Sequence, residues 1–299
     1  MSRPPRHLGI VGNREKEAVR ALLPPLVRWI RERGRRVSLE RSLARGLRGV
    51  GAGLALPTLI DRIDALLVLG GDGTMLHAAR AASEAGVPIL GVNMGGLGFL
   101  TETAADSLYP ALTQLFDGKY VLERRLMVEA RVRSRGRRNG REWTGVGLND
   151  AVIHPSERSR VIALDLAIGG RPIGTLVGDG LVVATPTGST AYSLSAGGPI
   201  LRPTVEALLA TPISPHTLAW RPLVVGGDES FEVRIRPGHP AAVLALDGQV
   251  LRRVTPDDEI RIRRARRRAS IILLRADSFY DVLRTKLAWA TNPLGTKPD

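Results

Sequence analysis

An apolar run that ends in a glycine-rich turn most constrains how this 299-residue chain can fold. Residues 65–69 are all apolar, the sequence Gly-Gly-Asp-Gly-Thr follows at 70–74, and a helical pattern occupies 75–85. A continuous apolar run of this length is typical of a strand that a parallel sheet buries on both faces. Glycines let the backbone approach a ligand closely, and the free N–H groups of a helix start suit an anion. The chain is therefore expected to fold around a parallel sheet with a ligand-binding turn at 70–74.

The rest of the chain changes character near residue 120. Before it, strand and helix patterns alternate, which predicts an α/β domain with a parallel sheet over residues 1–122. Within that domain we expect Pro24-Pro25 to break or kink the helix of residues 15–33, which predicts two pieces. After it, strand patterns separated by turn residues predict a mostly β domain over 123–275. We expect a helical C-terminal tail, 276–299, that returns to the N-terminal domain.

Two details of the predicted β domain depend on local pattern alone. Residues 144–154 are predicted to form one of the strands that Gly, Pro and Ser turns separate. Residues 204–209 are predicted to be helical.

The composition is strongly basic and free of cysteine. Lys and Arg number 43 against 29 Asp and Glu, a difference of 43 − 29 = 14, and aromatic residues make up only 4%. Because no basic stretch is interleaved with aromatics, we expect no nucleic-acid partner. The basic runs at 131–141 and 261–268 are interpreted as solvated strand faces, or as attractors of phosphate-bearing small molecules. The lack of cysteine and of an apolar run of about 20 residues predicts a soluble, cytoplasmic protein without a membrane partner.

Asp72 lies inside the turn, where its charge opposes phosphate binding. A carboxylate there suits accepting a proton, orienting a hydroxyl or holding a cation. The alternative is that Asp72 caps the following helix. His77 follows Gly73 by about one helical turn and could face the same site, the alternative being a surface histidine. The five histidines are scattered, so no protein metal site is predicted.

Two later segments offer polar groups that suit a nucleotide. Asn149 and Asp150 combine donors and acceptors that match an adenine edge or ribose hydroxyls, although an Asx turn at a strand start is the alternative. Residues 181–201 contain no charged side chain, yet 185–195 are rich in hydroxyls and follow Asp179. Such a segment can hydrogen-bond a nucleotide without electrostatic conflict, or it is a buried polar turn.

Together these motifs resemble the NAD kinase family, in its bacterial ATP-NAD kinase type. The resemblance rests on Gly-Gly-Asp-Gly-Thr at 70–74, the Asn149-Asp150 pair, Thr-Pro-Thr-Gly-Ser-Thr-Ala-Tyr-Ser at 185–193, Asp247-Gly-Gln249 and the C-terminal tail. It implies a phosphotransferase that moves a phosphoryl group from ATP to the 2′-hydroxyl of the adenosine ribose of NAD. Other kinases that share the glycine-aspartate turn, for lipids or sugars, and a non-catalytic NADP(H)-binding regulator remain alternatives.

The resemblance also implies a role for individual residues. Asp72 is expected to be the catalytic base, Asp179 to bind the nicotinamide end, and Asn149 and Asp150 to bind adenine or ribose. The expected binding residues are Gly73, His77, Asn149, Asp150, Arg160, Asp179, Thr190, Ala191, Tyr192, Ser193, Leu194, Ser195 and Gln249.

Cofactor, donor and assembly follow from the same resemblance. Mg²⁺ is expected to arrive with ATP, polyphosphate is an alternative donor, and a homodimer or homotetramer is expected. Asp150 departs from the Glu of many members, which shortens the reach of the carboxylate. Val177 replaces an Arg that some members carry and that is linked to a preference for NAD over NADH, so acceptance of NADH stays open.

Overall fold

The computed structural model describes residues 3–95, 98–101, 103–134, 142–156, 161–275 and 278–289. The chain forms two compact units. The first unit comprises residues 1–124 and 269–299, and the second comprises 125–268. The boundary between residues 268 and 269 falls inside the strand Asp258–Leu273.

The first unit contains a parallel sheet. Its elements begin with β1 (His7–Gly12), α1 (Glu17–Glu32), β2 (Arg36–Leu39), α2 (Arg41–Ala44), α3 (Leu56–Ile60), β3 (Ala65–Gly70), α4 (Asp72–Ala85), β4 (Ile89–Asn93), β5 (Thr103–Ala104), a 3₁₀ turn (Ala105–Ser107) and α5 (Leu108–Phe116). The strands pair in the order β2-β1-β3-β4-β5, all parallel. Every residue of β3 is buried, as its continuous apolar run predicts.

Helix α1 runs through Pro24 and Pro25, so the predicted break into two helices is wrong. Each proline removes one backbone donor, but the apolar face of the helix is still buried from Val19 to Ile30. Burial of that face stabilises the continuous helix despite the two lost donors.

The second unit consists mainly of antiparallel strands. Its elements, with the last two of the chain, are β6 (Val121–Ser134), β7 (Trp143–Gly147), β8 (Asp150–Pro155), β9 (Ile162–Ile168), β10 (Arg171–Gly178), β11 (Gly180–Ala184), a 3₁₀ turn (Thr187–Thr190), α6 (Tyr192–Ser195), β12 (Ala207–Ile213), β13 (Leu223–Gly226), β14 (Ser230–Ile235), β15 (Ala242–Leu246), β16 (Val250–Val254), β17 (Asp258–Leu273) and α7 (Ser278–Lys286). One group of strands has the order β10-β9-β14-β17, and the other has the order β13-β12-β11-β8-β15-β16. The end of β17 returns to the first unit, where Ile271 pairs with Ile89 of β4.

Two predictions about this unit are wrong. Residues 207–209, expected to be helical, begin strand β12, because Leu208 and Leu209 enter different apolar clusters on opposite faces of the sheet. The single strand expected at 144–154 is two strands, β7 and β8, separated by a turn at 148–149. A run of apolar residues does not show which face each residue occupies.

The predicted fold class is confirmed: an α/β part with a parallel sheet, a mostly β part and a C-terminal helix. Within the described ranges, no helix has the length and apolar character needed to cross a membrane.

Candidate functional site

Each unit contains one cluster of the candidate residues, and each cluster is described within its own unit. In the first unit, β3 ends at Gly70 and α4 begins at Asp72. A Cβ atom on Gly70 would overlap the side chain of Thr74, so only glycine fits this close turn. The helix cap is Gly71, whose backbone is extended with φ −114°. The turn therefore places Asp72 at the carboxyl end of the central strand, where α/β sheets bind ligands.

The Asp72 carboxylate does not cap α4. Instead, its Oδ2 accepts the N–H of Phe99 at 3.1 Å and its Oδ1 accepts the N–H of Leu100 at 3.2 Å. These bonds fix the plane of the carboxylate while using about half of its roughly four lone-pair positions. Asp72 is half-buried and keeps acceptor capacity for a further donor.

The segment that holds Asp72, residues 98–101, is tightly packed. A Cβ atom on Gly98 would overlap the Asp72 carboxylate and would lie 2.8 Å from Thr101 Oγ1. Thr101 is fully buried, and its hydroxyl has no hydrogen-bond partner among the described residues. The sequence-based prediction missed Thr101, since nothing in its local pattern distinguishes it from a core residue.

Two predicted residues of this unit, Gly73 and His77, lie exposed on the first turns of α4. A cation that sequence reasoning missed, Lys16, follows β1 and donates from Nζ to the carbonyl oxygen of Met94 at 3.1 Å. Its position after the first strand of a parallel sheet was the signal that could have identified it.

The second cluster surrounds the turn at 148–150 in the second unit. The Thr185 hydroxyl donates to the carbonyl oxygen of Leu148 at 2.7 Å, and the Thr185 N–H donates to that of Asn149 at 2.8 Å. A Cβ atom on Gly188 would overlap the same Asn149 carbonyl. The Oδ1 atom of Asn149 is buried without a hydrogen-bond partner among the described residues.

Asp247, which directly follows β15, binds the same turn. Its Oδ2 accepts the N–H of Leu148 at 2.9 Å, and its Oδ1 accepts those of Asn149 at 2.7 Å and Asp150 at 3.3 Å. The N–H of Asp247 donates to the Asp150 carbonyl oxygen at 3.1 Å. The turn is therefore not closed by the Asn149 side chain, as the alternative of an Asx turn would require. Side chains from two other segments, Asp247 and Thr185, bind its backbone instead.

Asp150 is buried with only 4% of its surface exposed. Burial first, and then the negative charge of Asp247, raises the pKa of Asp150 to about 7. Near neutral pH this carboxyl group can therefore donate a hydrogen bond as well as accept one.

The hydroxyl-rich segment after β11 combines structural and open groups. Ser189 is buried and donates to the carbonyl oxygen of Pro186 at 2.6 Å, and Ser193 pairs with Thr211 at 2.8 Å between hydroxyl oxygens. These contacts agree with a buried polar turn for Ser189 and Ser193. In contrast, Thr187 is 4% exposed and its hydroxyl has no partner among the described residues.

The other predicted residues of the second unit differ in exposure. Thr190, Ala191 and Leu194 are half-buried, whereas Tyr192, Ser195, Asp179 and Gln249 are exposed. The backbone N–H of Asp179 donates to the carbonyl oxygen of Ile213 at 2.9 Å. Arg160 lies outside the described residues.

Acidic side chains accompany the basic strand residues of the second unit. Glu129 accepts hydrogen bonds from Arg131 at 2.8 Å and Arg263 at 2.9 Å. Although burial alone would raise the pKa of Glu129, these two bonds lower it. Glu206 pairs with Arg268 in the same way. The interpretation of the basic runs as strand faces agrees with these ion pairs.

The chain is similar to known proteins over most of its length. Residues 8–120 match the ATP-NAD kinase N-terminal domain, and residues 148–274 match the ATP-NAD kinase C-terminal domain. An NAD kinase of Geotalea daltonii is 41% identical over 265 residues, which cover 88% of this chain and 92% of that protein. An NAD kinase of Moorella thermoacetica is 41% identical over 282 residues, covering 94% and 89%.

Two solved structures share the fold. The yeast NADH kinase complexed with NADH aligns with a TM-score of 0.88 at 23% identity, covering 99% of this chain and 91% of that one. An NAD kinase from Archaeoglobus fulgidus in complex with ATP aligns with a TM-score of 0.70, also at 23% identity, covering 94% and 98%.

Proposed function

The chain belongs to the NAD kinase family, and from this premise we propose that Asp72 is the base in its transfer of a phosphoryl group from ATP to NAD. The observation that carries the proposal is the carboxylate of Asp72. It stands at the carboxyl end of β3 and is held by two N–H groups outside its own helix. A carboxylate that only stabilised the helix would bond to the N–H groups of α4.

The fixed carboxylate supports a specific role in the reaction. Phosphoryl transfer passes through a loose transition state that demands positioning more than covalent chemistry. Asp72 orients the 2′-hydroxyl of the adenosine ribose and accepts its proton late, as the bond to phosphorus forms. The two N–H donors keep the carboxylate in one orientation, so little reorganisation is needed at that moment.

The second unit supplies the dinucleotide pocket in this proposal. Asn149 Oδ1 and Thr187 Oγ1 are buried polar atoms without partners among the described residues, and such atoms are costly unless a ligand binds them. An amide oxygen accepts from ribose hydroxyls or an adenine amino group. The proposal adds Gly73 and His77 in the first unit and, in the second, Asp150, Asp179, Thr190, Ala191, Tyr192, Leu194, Ser195 and Gln249. Ser193 is assigned a supporting role because it pairs with Thr211.

We further propose that Mg²⁺ accompanies ATP. Mg²⁺ prefers phosphate oxygens, waters and one or two carboxylates over a dedicated protein cage. Within the described residues no three acidic or histidine side chains form such a cage, and the turn at 70–74 offers the single carboxylate of Asp72. When bound, the ion supplies neutralisation of the charge on the transferred group.

Donor and acceptor choice are the finer parts of the proposal. The A. fulgidus relative was solved with ATP and the yeast relative with NADH, which supports ATP as the donor and leaves NADH as a second acceptor. An assay of NAD and NADH against ATP and polyphosphate decides both choices. Adding diacylglycerol as an acceptor tests the lipid-kinase alternative.

Self-association and a cytoplasmic location complete the proposal. Ile173 is exposed on edge strand β10, and Leu223 and Val224 are exposed on edge strand β13. Leu218, in the loop that precedes β13, is 81% exposed. We call these four residues the edge face. An unpaired edge strand is a template for pairing with another chain, and exposed apolar residues favour burial there. A second copy of the chain is the partner proposed here. The absence of cysteine supports a reducing compartment.

The test of the catalytic proposal is the Asp72→Asn variant. We expect it to keep NAD binding and to lose turnover by about 10²- to 10⁴-fold, the usual contribution of a general base. Steady-state kinetics and equilibrium binding of NAD measure the two effects. Asp61→Asn, an exposed position at the end of α3 in the same unit, is the matched control. Near-normal turnover in Asp72→Asn would show that Asp72 is not the catalytic base.

A further inference from the structure

We propose that Asp247 and Thr185 are positioning residues that clamp the turn at 148–150 and so place Asn149 for dinucleotide binding. The inference deepens the proposed function, since it rests on the pocket of the second unit binding NAD. The motif Asp247-Gly-Gln249 is part of the family resemblance, but that resemblance supplied no role for Asp247.

The clamp satisfies all six backbone polar groups of the turn. The carboxylate of Asp247 accepts the three N–H groups of residues 148–150. The carbonyl oxygens of residues 148 and 149 accept from the hydroxyl and the N–H of Thr185, and that of Asp150 accepts from the N–H of Asp247. A turn held at every donor and acceptor has one conformation, which fixes the direction of the Asn149 side chain.

The side chain of Asn149 does not close an Asx turn. In an ordinary Asx turn, the Asn oxygen accepts the backbone N–H two residues further on, which for Asn149 is that of Ala151. Ala151 lies within β8, between β11 and β15, and Asn149 Oδ1 is buried and without a partner among the described residues. The hydroxyl of Thr187, two residues beyond Thr185, is in the same condition. The clamped turn and the segment after β11 thus present two buried polar atoms that are available to a ligand.

The arrangement costs stability, which argues that it serves binding. Asp247 has φ 51°, a left-handed conformation that Asp and Asn tolerate better than most residues. Asp247 is only 9% exposed, and it accepts the N–H of Asp150, whose side chain is also buried. Strained backbone and adjacent buried acids persist where function requires them.

The first experiment is the kinetics of Asp247→Asn. Asn keeps the backbone conformation but replaces one accepting oxygen with an amide NH₂, which cannot accept an N–H. We expect KM for NAD to rise by roughly 10- to 100-fold while kcat changes little, because the lost contact acts on binding. Thr185→Val, which removes the hydroxyl that binds Leu148, should give the same selective rise and serves if Asp247→Asn does not fold.

The second readout is the pH dependence of NAD affinity, which a merely structural role would not move. Opposite Asp150, β11 contributes the uncharged Ala184, and β15 leads into Asp247, the charged group that acts on Asp150. Affinity should change near pH 7 in the wild type, where Asp150 titrates. Removing the charge of Asp247 should lower that midpoint, since a neighbouring negative charge raises a carboxyl pKa.

Two further variants separate the possible failures. Asp258→Asn is the matched control, because Asp258 also accepts a backbone N–H, that of Thr255 at 2.8 Å, in another turn of the same unit. Its KM and pH midpoint should match the wild type.

If Asn149→Ala leaves KM for NAD unchanged, the pocket assignment itself fails. If Asn149→Ala raises KM but Asp247→Asn and Thr185→Val do not, the pocket stands and the clamp is overturned. An unchanged pH midpoint in Asp247→Asn likewise overturns it.

Discussion

At the residue scale, Asp150 shows how the clamp affects stability as well as binding. Its carboxyl group is buried beside a second acid, so folding favours its protonated form. The folded pKa, about 7, lies above the ordinary pKa of an Asp side chain. The folded state therefore binds the proton more tightly than the unfolded state, and stability falls as pH rises between the two values.

The Asp150→Asn variant should remove this dependence. Relative to the wild type, it should gain about 1.4 kcal/mol for each pH unit between about pH 4 and about pH 7, and nothing more above that range. Urea unfolding of both proteins across this range measures the difference. Asp228→Asn, an exposed position, should show no such trend. A constant difference between wild type and Asp150→Asn would mean that Asp150 stays ionised when folded.

Sequence reasoning identified Asp72, Asn149 and Asp150 but not the residues that position them. The N–H groups bound by Asp72 come from residues 27 and 28 positions away, and those bound by Asp247 from 97 to 99 positions away. No local pattern encodes a hydrogen bond over such a separation. Thr101 was missed, and Thr187 was not distinguished within the hydroxyl-rich segment 185–195, because only the packed structure shows that their hydroxyls lack partners within the described ranges.

At the element scale, the segment 98–101 fixes the carboxylate at the start of α4. The segment depends on Gly98, because a Cβ atom there would overlap Asp72 and approach its Cγ to 2.8 Å. We therefore expect the segment 98–101 to affect the reaction only through the position of the Asp72 carboxylate. A substitution at Gly98 measures this effect.

We expect Gly98→Ala to lower kcat on the order of 100-fold, because displacing a catalytic group by about 1 Å costs that much. NAD binding measured at equilibrium should be retained. The decisive measurement is a double-mutant cycle: in the Asp72→Asn background, Gly98→Ala should add little. Independent, multiplicative losses would show that Gly98 acts by another route.

The elements themselves were predictable where one face or both faces of the chain were clearly apolar. Strand β3 and helix α4 were predicted from the unbroken apolar run at 65–69 and the glycine-rich turn that follows it. Prediction failed at Pro24-Pro25, where packing of the buried face outweighs two lost donors, and at β12, where burial on both faces hides the strand period. In each case tertiary packing overrode a local signal.

At the scale of the whole molecule, the edge face predicts self-association. Leu223→Glu places a charge on β13, where 44% of the leucine surface is exposed, and should convert an assembly into a monomer of 32.2 kDa. Light scattering coupled to size-exclusion chromatography measures the mass. Leu251→Glu, on the opposite edge strand β16 and 66% exposed, is the control. An unchanged mass in Leu223→Glu would exclude the edge face as the contact.

The return of β17 to the first unit has a consequence for synthesis on the ribosome. Residues 125–268 form one contiguous unit, whereas the first unit needs residues from both ends of the chain. Ile271 pairs with β4, and Ile272 belongs to the apolar core of that unit. The N-terminal part of the first unit therefore stays incompletely packed until β17 has been synthesised. Contacts between residues so far apart in sequence also form slowly. A ribosome that stalls before residue 269 should leave the segment that contains Asp72 exposed to proteases and chaperones.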